Sequence, residues 1–379
     1  MSSLPASPLI MTAVYNALPK SSHVNLGIII KMNFAGSSIL SVDQFSLDAI
    51  DTIFQVADLL EPVARRRKVT RVLEGAVLGN LFFEASTRTR LSFASAFERL
   101  GGSVSDTTGF TFSSISKGES LYDTSRVISG YVDTIVIRHP EEGSVREFSE
   151  ATNIPVINAG DGIGEHPTQA LLDLYTINGE FKRLSKSING SSILVFGDLK
   201  NGRTVHSLVK ILALYQNIRF VFVSPMGLSL PESLLEHIAS RGHHYEVHNS
   251  LGPHIKNIDV VYATRIQRER MLDGELTEGY SENFRINAAL VNSLFDKNTV
   301  ILHPLPRDSR EGAFDLSDDL NADERLAIFR QTDNGVQIRM ALFALVLGVE
   351  NQIESSLRDS NWFRPQYIGK QDAKFTKLK

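Results

Sequence analysis

The sequence predicts an α/β protein of two lobes, each a parallel sheet flanked by helices, with a C-terminal helix returning to the first lobe. Three observations predict it. Short apolar, β-branched runs recur along the middle of the chain, stretches with helical spacing separate them, and 379 residues suffice for two domains. In chain order, the apolar run Ala76–Phe83 reads as a strand and Leu91–Leu100 as the helix after it. Tyr131–Ile137 and Ile154–Asn158 are the next strands, each ending in polar residues, and Gln169–Ile177 is helical. Ser192–Gly197 (strand), Thr204–Tyr215 (helix), Arg219–Ser224 (strand) and Pro231–Ser240 (helix) repeat the alternation, and Ile258–Ala263 and Thr299–Leu302 close the second set of strands. The apolar stretch Val336–Leu347 reads as a buried helix. No short-period repeat interrupts the pattern.

The two ends differ from this body. Residues 1–34 carry Pro5, Pro8 and Pro19, several serines and no acidic residue, and they lack the basic start of a secretory signal. They are expected to be a disordered leader, or to precede a true start at Met32. Residues 350–379 are polar and mildly basic around Trp362 and Phe363, and packing on the body or on a partner both remain open. Domain limits are expected at 35–168 and 169–325, with 326–349 as the returning helix.

Composition removes several function classes. Thirty-nine Lys and Arg against 43 Asp and Glu give a net charge of −4, which argues against a nucleic-acid partner. No apolar run approaches the roughly 18 residues of a membrane span, so no membrane partner is expected. With no cysteine, the chain has no disulfide, thiol nucleophile, thiolate zinc site or iron–sulfur cluster, and it suits a reducing cytoplasm.

In open α/β sheets ligands bind beyond the carboxyl ends of the strands, so the residues just past each strand carry the function. After Phe83 come Ser86, Thr87, Arg88, Thr89 and Arg90 at a helix start, where free N–H groups and the positive dipole end favour an anion. Arg88 and Arg90 offer forked donors to a phosphate. The Gly-Lys-Ser/Thr signature of a P-loop is absent. Arg138 ends the next strand. The glycine-rich turn 160–164 then leads to His166, Pro167 and Gln169 opening a helix, where the dipole should keep His166 neutral. No His-Glu-x-x-His is present, and no metal is expected. Gly197–His206 lacks Gly-x-Gly-x-x-Gly, which disfavours a nicotinamide-binding oxidoreductase, and Arg203 there is a candidate carboxylate clamp. Arg265 and Gln267 come after the next strand. His303-Pro304-Leu305-Pro306-Arg307 comes after the last, its prolines leaving carbonyls free for a ligand.

Together, FFEASTRTRLSF (82–93), SKGES (116–120), IRHP (137–140), NAGDG (158–162), EHPTQALLDLYTI (165–177), GDLKNGRTVHSL (197–208), ATRIQRERM (263–271) and LHPLPR (302–307) resemble the catalytic chains of the aspartate carbamoyltransferase family. The ornithine enzymes expect a cysteine in the loop matching His303–Pro306. The resemblance implies a carbamoyl phosphate-binding domain over 35–168 and an aspartate-binding domain over 169–325. It implies transfer of the carbamoyl group from carbamoyl phosphate to L-aspartate in pyrimidine synthesis, without a cofactor. Ser86, Thr87, Arg88 and Thr89 would hold the phosphate, and Thr89, Arg138 and His166 would polarise the carbamoyl oxygen. Gln169 would read the carbamoyl amino group, the carbonyls of Leu305 and Pro306 would line the site, and Arg203, Arg265 and Gln267 would bind aspartate. Ser113 and Lys117 match residues that a neighbour supplies in a homotrimer. Regulatory chains or a dihydroorotase are partners that the sequence leaves open. Asn201 stands where the best-known bacterial sequences of the family carry Tyr, and Ser116 stands where they can carry a second Lys. The alternatives are a carbamoyltransferase for another amine such as ornithine, or a non-catalytic homologue that binds a partner.

Overall fold

The computed structural model describes residues 33–109, 118–253, 255–267, 284–308 and 315–362. The first 32 residues of the expected leader, and with them the question of a start at Met32, lie outside these, as do Ser113, Ser116 and Lys117. The described chain opens with a 3-10 turn (Val42–Gln44), followed by helix α1 (Leu47–Ala64), whose N-terminus is capped by Ser46, and a short strand β1 (Lys68–Val69).

A first sheet comes next, formed by β2 (Val77–Phe82), β3 (Ser103–Thr108), β4 (Thr134–His139) and β5 (Val156–Asp161), all parallel, in the order β3-β2-β4-β5. Helices α2 (Thr87–Arg99), α3 (Leu121–Ile128), α4 (Ser144–Glu150) and α5 (Pro167–Leu184) accompany it. The second sheet has β6 (Ser192–Phe196), β7 (Arg219–Val223), β8 (His244–His248), β9 (Val260–Ala263) and β10 (Val300–Leu302) in the order β10-β9-β6-β7-β8, again all parallel. Helices α6 (Arg203–Leu212), α7 (Glu232–Ser240) and α8 (Ala288–Leu294) belong to this half.

The central strands are covered on both faces, which is why they read as continuous apolar runs. One core joins Leu78, Val136 and Ile157 of the first sheet to Val195, Phe220 and Tyr262 of the second, through α1, α2, α5 and α6. Separate clusters cover the outer faces, around Ile135 and Phe148 in one half and around Leu194, Val261 and Val291 in the other. Among the described residues, no single helix is long and apolar enough to cross a membrane.

The last long helix, α9 (Ile328–Val346), packs on α1 and α2 as well as α5, so the chain does return to the first half. Phe343 meets Phe93 and Phe97 edge-on, at ring-centroid distances of 5.9 and 4.9 Å. Polar side chains stitch it on both flanks. Gln337 donates to the Ala57 carbonyl at 2.9 Å, Arg65 pairs with Asp333 at 2.9 Å, and Arg330 pairs with buried Glu180 at 2.6 Å. Beyond it, α10 (Ile353–Ser356) buries Ile353, and β11 (Arg358–Asp359) runs antiparallel to β1 with Lys68 3.0 Å from Asp359. Residues 350–362 therefore pack on the body.

One expectation needs correction, and the apolar pattern hides two edge strands and the start of the last long helix. The segment Thr87–Arg90 does not precede its helix but forms the first turn of α2, since Ser86 is the N-cap. The edge strands β3 (SVSDTT) and β8 (HYEVH) lack an apolar run, because an edge with a wet face does not require one. Helix α9 begins eight residues before Val336 because its first turns bury Arg330, Gln331 and Asn334, which hide the apolar period.

Candidate active site

Each sheet has one point where the strand order reverses, between β2 and β4 in the first and between β6 and β9 in the second. Ligands of open sheets bind at such points. The loops after β2, β6 and β9 and Arg138 at the end of β4 line a single cavity of about 760 Å³, together with the start of α5, the loop after β10 and one side of α9. Twelve of the described candidates line it: Ser86, Thr87, Arg88, Thr89, Arg138, His166, Gln169, Arg203, Arg265, Gln267, Leu305 and Pro306. Ser113 and Lys117 lie outside the described residues.

On the first wall, Ser86 makes no side-chain cap bond, so the leading N–H groups of α2 are left for a ligand. Arg88 faces the cavity, and partial desolvation and then the like charge of Arg265 pull its pKa below the ordinary arginine value. Arg90 does not join it. Two positions apart on a helix point to different faces, and Arg90 pairs with Asp106 instead.

Glu84 ties this wall to the next. Its Oε2 lies 3.0 Å from Arg138 Nε and 3.0 Å from Arg203 Nη2. Arg203 is buried at the start of α6 and also donates to the Gly162 carbonyl at 2.6 Å. It crosses the end of β5 at Gly160, whose φ is +118° and where a Cβ would sit 3.0 Å from the guanidinium carbon. A side chain there would be strained and would press on Arg203.

His166 is the N-cap of α5, with Pro167 next to it in the first turn, and is 3% exposed. Its Nδ1 is buried and has no hydrogen-bond partner among the described residues. Burial, then the charges of Arg203, Arg138 and Arg339, hold its pKa well below the ordinary value. Neutrality was expected from the helix dipole, whereas burial and three arginines impose it here. The imidazole 15N shifts of His166 should stay those of the neutral ring as the pH falls through about 6.5, the ordinary midpoint. A protonation step there in the ligand-free protein would contradict this electrostatic account.

The second half supplies the other walls. Gly197 has φ +120°, and a Cβ would lie 2.1 Å from the Thr264 carbonyl oxygen, so only glycine lets β6 and β9 end this close together. Across that junction Gln267 donates from its backbone to Asp198 at 3.3 Å and from Nε2 to the Asn201 carbonyl at 2.8 Å. Asn201, off the family pattern, thus touches a candidate substrate residue. In the loop after β10, His303 Nδ1 accepts from the Leu305 N–H at 2.8 Å, so Nε2 carries the proton and donates to Asp315 at 2.7 Å. Leu305 adopts φ +61° before a cis bond to Pro306.

Sequence reasoning missed three residues. Glu84 sits inside the FFEASTRTRLSF motif, where the sequence suggests no role for it. Arg339 of α9 lines the cavity, donates to Ser92 Oγ at 2.7 Å and lies 4.6 Å from the centre of the Phe93 ring. Burial lowers its pKa to about 10, with Asp173 opposing. Asp173, below Gln169 on α5, is fully buried, and burial lifts its carboxyl to about 7 against the donors Gln331, Tyr262 and Gln169. Among the described residues, no three His, Asp or Glu side chains gather as a metal site.

The arrangement suits two anions, one on the α2 N-terminus and one among Arg203, Arg265 and Gln267, with a neutral imidazole near their junction. Residues 37–179 match the carbamoyl-P binding domain of the aspartate/ornithine carbamoyltransferases, and residues 189–346 match their Asp/Orn binding domain. The aspartate carbamoyltransferase catalytic subunit of Dichelobacter nodosus is 60% identical over 348 residues, covering 92% of this chain and all of that one. That of Archaeoglobus fulgidus is 45% identical over 82% of this chain and 98% of its own. The crystal structure of Trypanosoma cruzi aspartate transcarbamoylase in complex with carbamoyl phosphate and aspartate superposes with a TM-score of 0.76 at 38% identity, over 83% of this chain and 98% of that one. With both halves matched in order and the two sheets meeting at one arginine-lined cavity, the chain belongs to the aspartate/ornithine carbamoyltransferase family.

Proposed function

We infer that the chain transfers the carbamoyl group of carbamoyl phosphate to the amine of L-aspartate, giving N-carbamoyl-L-aspartate and phosphate, an early step of pyrimidine synthesis. The observation that carries this is the meeting of Arg88, Arg138, Arg203 and Arg265 in one cavity drawn from both sheets. A phosphate dianion and a dicarboxylate repel each other unless their site is strongly cationic. Ser86, Thr87, Arg88 and Thr89 hold the phosphate at the N-terminus of α2. Arg203, Arg265 and Gln267 take the aspartate carboxylates on the other wall.

The amine attacks the carbamoyl carbon directly. A tetrahedral centre forms, its oxygen gains negative charge, and the bond to the phosphate oxygen then breaks. Thr89, Arg138 and the neutral His166 stabilise that oxygen, and His166 enters the step as a buried group whose Nδ1 lacks a partner among the described residues. Gln169 and the carbonyls of Leu305 and Pro306 read the carbamoyl amino group. The departing phosphate takes the amine proton, so the site needs proximity and placed donors more than an enzyme base. We place Ser113 and Lys117 in the site of a neighbouring copy within a homotrimer. A reducing compartment such as the cytoplasm suits a chain without cysteine.

Aspartate is favoured over ornithine because Arg203 and Arg265 both line the cavity and their charge would repel the side-chain ammonium of ornithine. Parallel assays should give carbamoyl aspartate from aspartate, with kcat/KM at least about 10²-fold above that for ornithine. Comparable rates with both amines would refute the assignment of substrate.

A further inference from the structure

We propose that Asp173 is a positioning residue for carbamoyl recognition. By accepting the amide NH2 of Gln169 it turns the Gln169 carbonyl oxygen to the substrate, so the site takes an acyl phosphate that bears N–H and rejects one that bears methyl. This rests on the reading of Gln169 given above and adds what fixes its orientation.

An amide is nearly symmetric in shape, so something has to tell its two ends apart. Here the direction is set from a group that can only donate. The backbone N–H of His303 donates to Gln331 Oε1 at 3.0 Å, which leaves Gln331 Nε2 to donate to Asp173 Oδ1 at 2.6 Å. Tyr262 donates its hydroxyl to Oδ2 at 2.7 Å. While Asp173 is ionised, both carboxylate oxygens are thereby committed as acceptors, and Gln169 meets Oδ1 with its nitrogen at 2.8 Å. Reversing Gln169 would set two oxygens against each other where Asp173 is 0% exposed. This orientation leaves Gln169 Oε1, an acceptor, for the cavity that Gln169 lines. Carbamoyl NH2 satisfies it, whereas an acetyl methyl strands it unpaired in a covered site.

Asp173→Asn keeps the shape but offers an NH2 of its own, which permits Gln169 to reverse. The measurement is the KM for carbamoyl phosphate beside the competitive Ki values of acetyl phosphate and inorganic phosphate. Carbamoyl phosphate should weaken by about 10–100-fold while the other two change by less than about 3-fold. Gln169→Ala should lose the same selectivity, and the double variant should lose no more than either alone. Parallel weakening of all three ligands, or unchanged selectivity, overturns the proposal. Should Asp173→Asn fail to fold, Tyr262→Phe frees Oδ2 and should show a smaller loss confined to carbamoyl phosphate, while a loss shared by all three ligands overturns the proposal. The two readings fail separately. No carbamoyl aspartate from the unmodified chain sinks the assigned reaction, whereas normal turnover with selectivity untouched in the variant sinks only the role of Asp173.

Discussion

Arg88→Ala is expected to lower kcat/KM by about 10²–10³-fold or more, with little change in melting temperature. Partial desolvation, and then the like charge of Arg265, lower the pKa of Arg88. A bound phosphate relieves both effects, and its charge grows as the carbamoyl bond breaks. Removing one partner of a charge pair in a covered site costs about 3–5 kcal/mol, which sets the size of the rate loss. Stability should hold because no carboxylate among the described residues pairs with Arg88 in the folded chain. Near-normal turnover in the variant would remove Arg88 from the phosphate site.

A second large effect should come from mixing two inactive proteins. Lys117→Ala and His166→Ala should each be almost inactive alone. A cyclic trimer has head-to-tail interfaces, so each site would combine its own His166 with a neighbour's Lys117. After dissociation and reassociation in equal amounts, about three quarters of random trimers contain both chains, and each of those holds one intact site in three. Activity should return to about one quarter of the unmutated level. Mixed trimers that form yet stay inactive would show that Lys117 does not act across the interface.

The sequence displayed the strand ends well, because ligand chemistry there sits in contiguous runs such as Ser86–Thr89 and His303–Arg307, each beside an apolar strand. Central strands were legible for the same reason, being covered on both faces. The rest was hidden by features that leave no local trace. Arg88 and Arg90 look equivalent in sequence, but the helix turns one to the cavity and the other to Asp106. Glu84 gains its meaning only when Arg138 and Arg203 arrive from elsewhere in the chain. Asp173 and Gln331 look like solvated helix positions, and their 158-residue separation conceals that they share a hydrogen bond. Buried polar networks are built from side chains that composition assigns to the surface.

Helix α9 carries a consequence for synthesis. Its Gln337 bonds to Ala57, 280 residues earlier, and its Phe343 fills the gap between Phe93 and Phe97. While the chain emerges from the ribosome, the first sheet can form early, but Phe93 and Phe97 on α2 wait for their cover until Phe343 has been made. Over that stretch of translation the nascent chain lacks the helix that buries this aromatic pair, the kind of transient apolar exposure that favours aggregation.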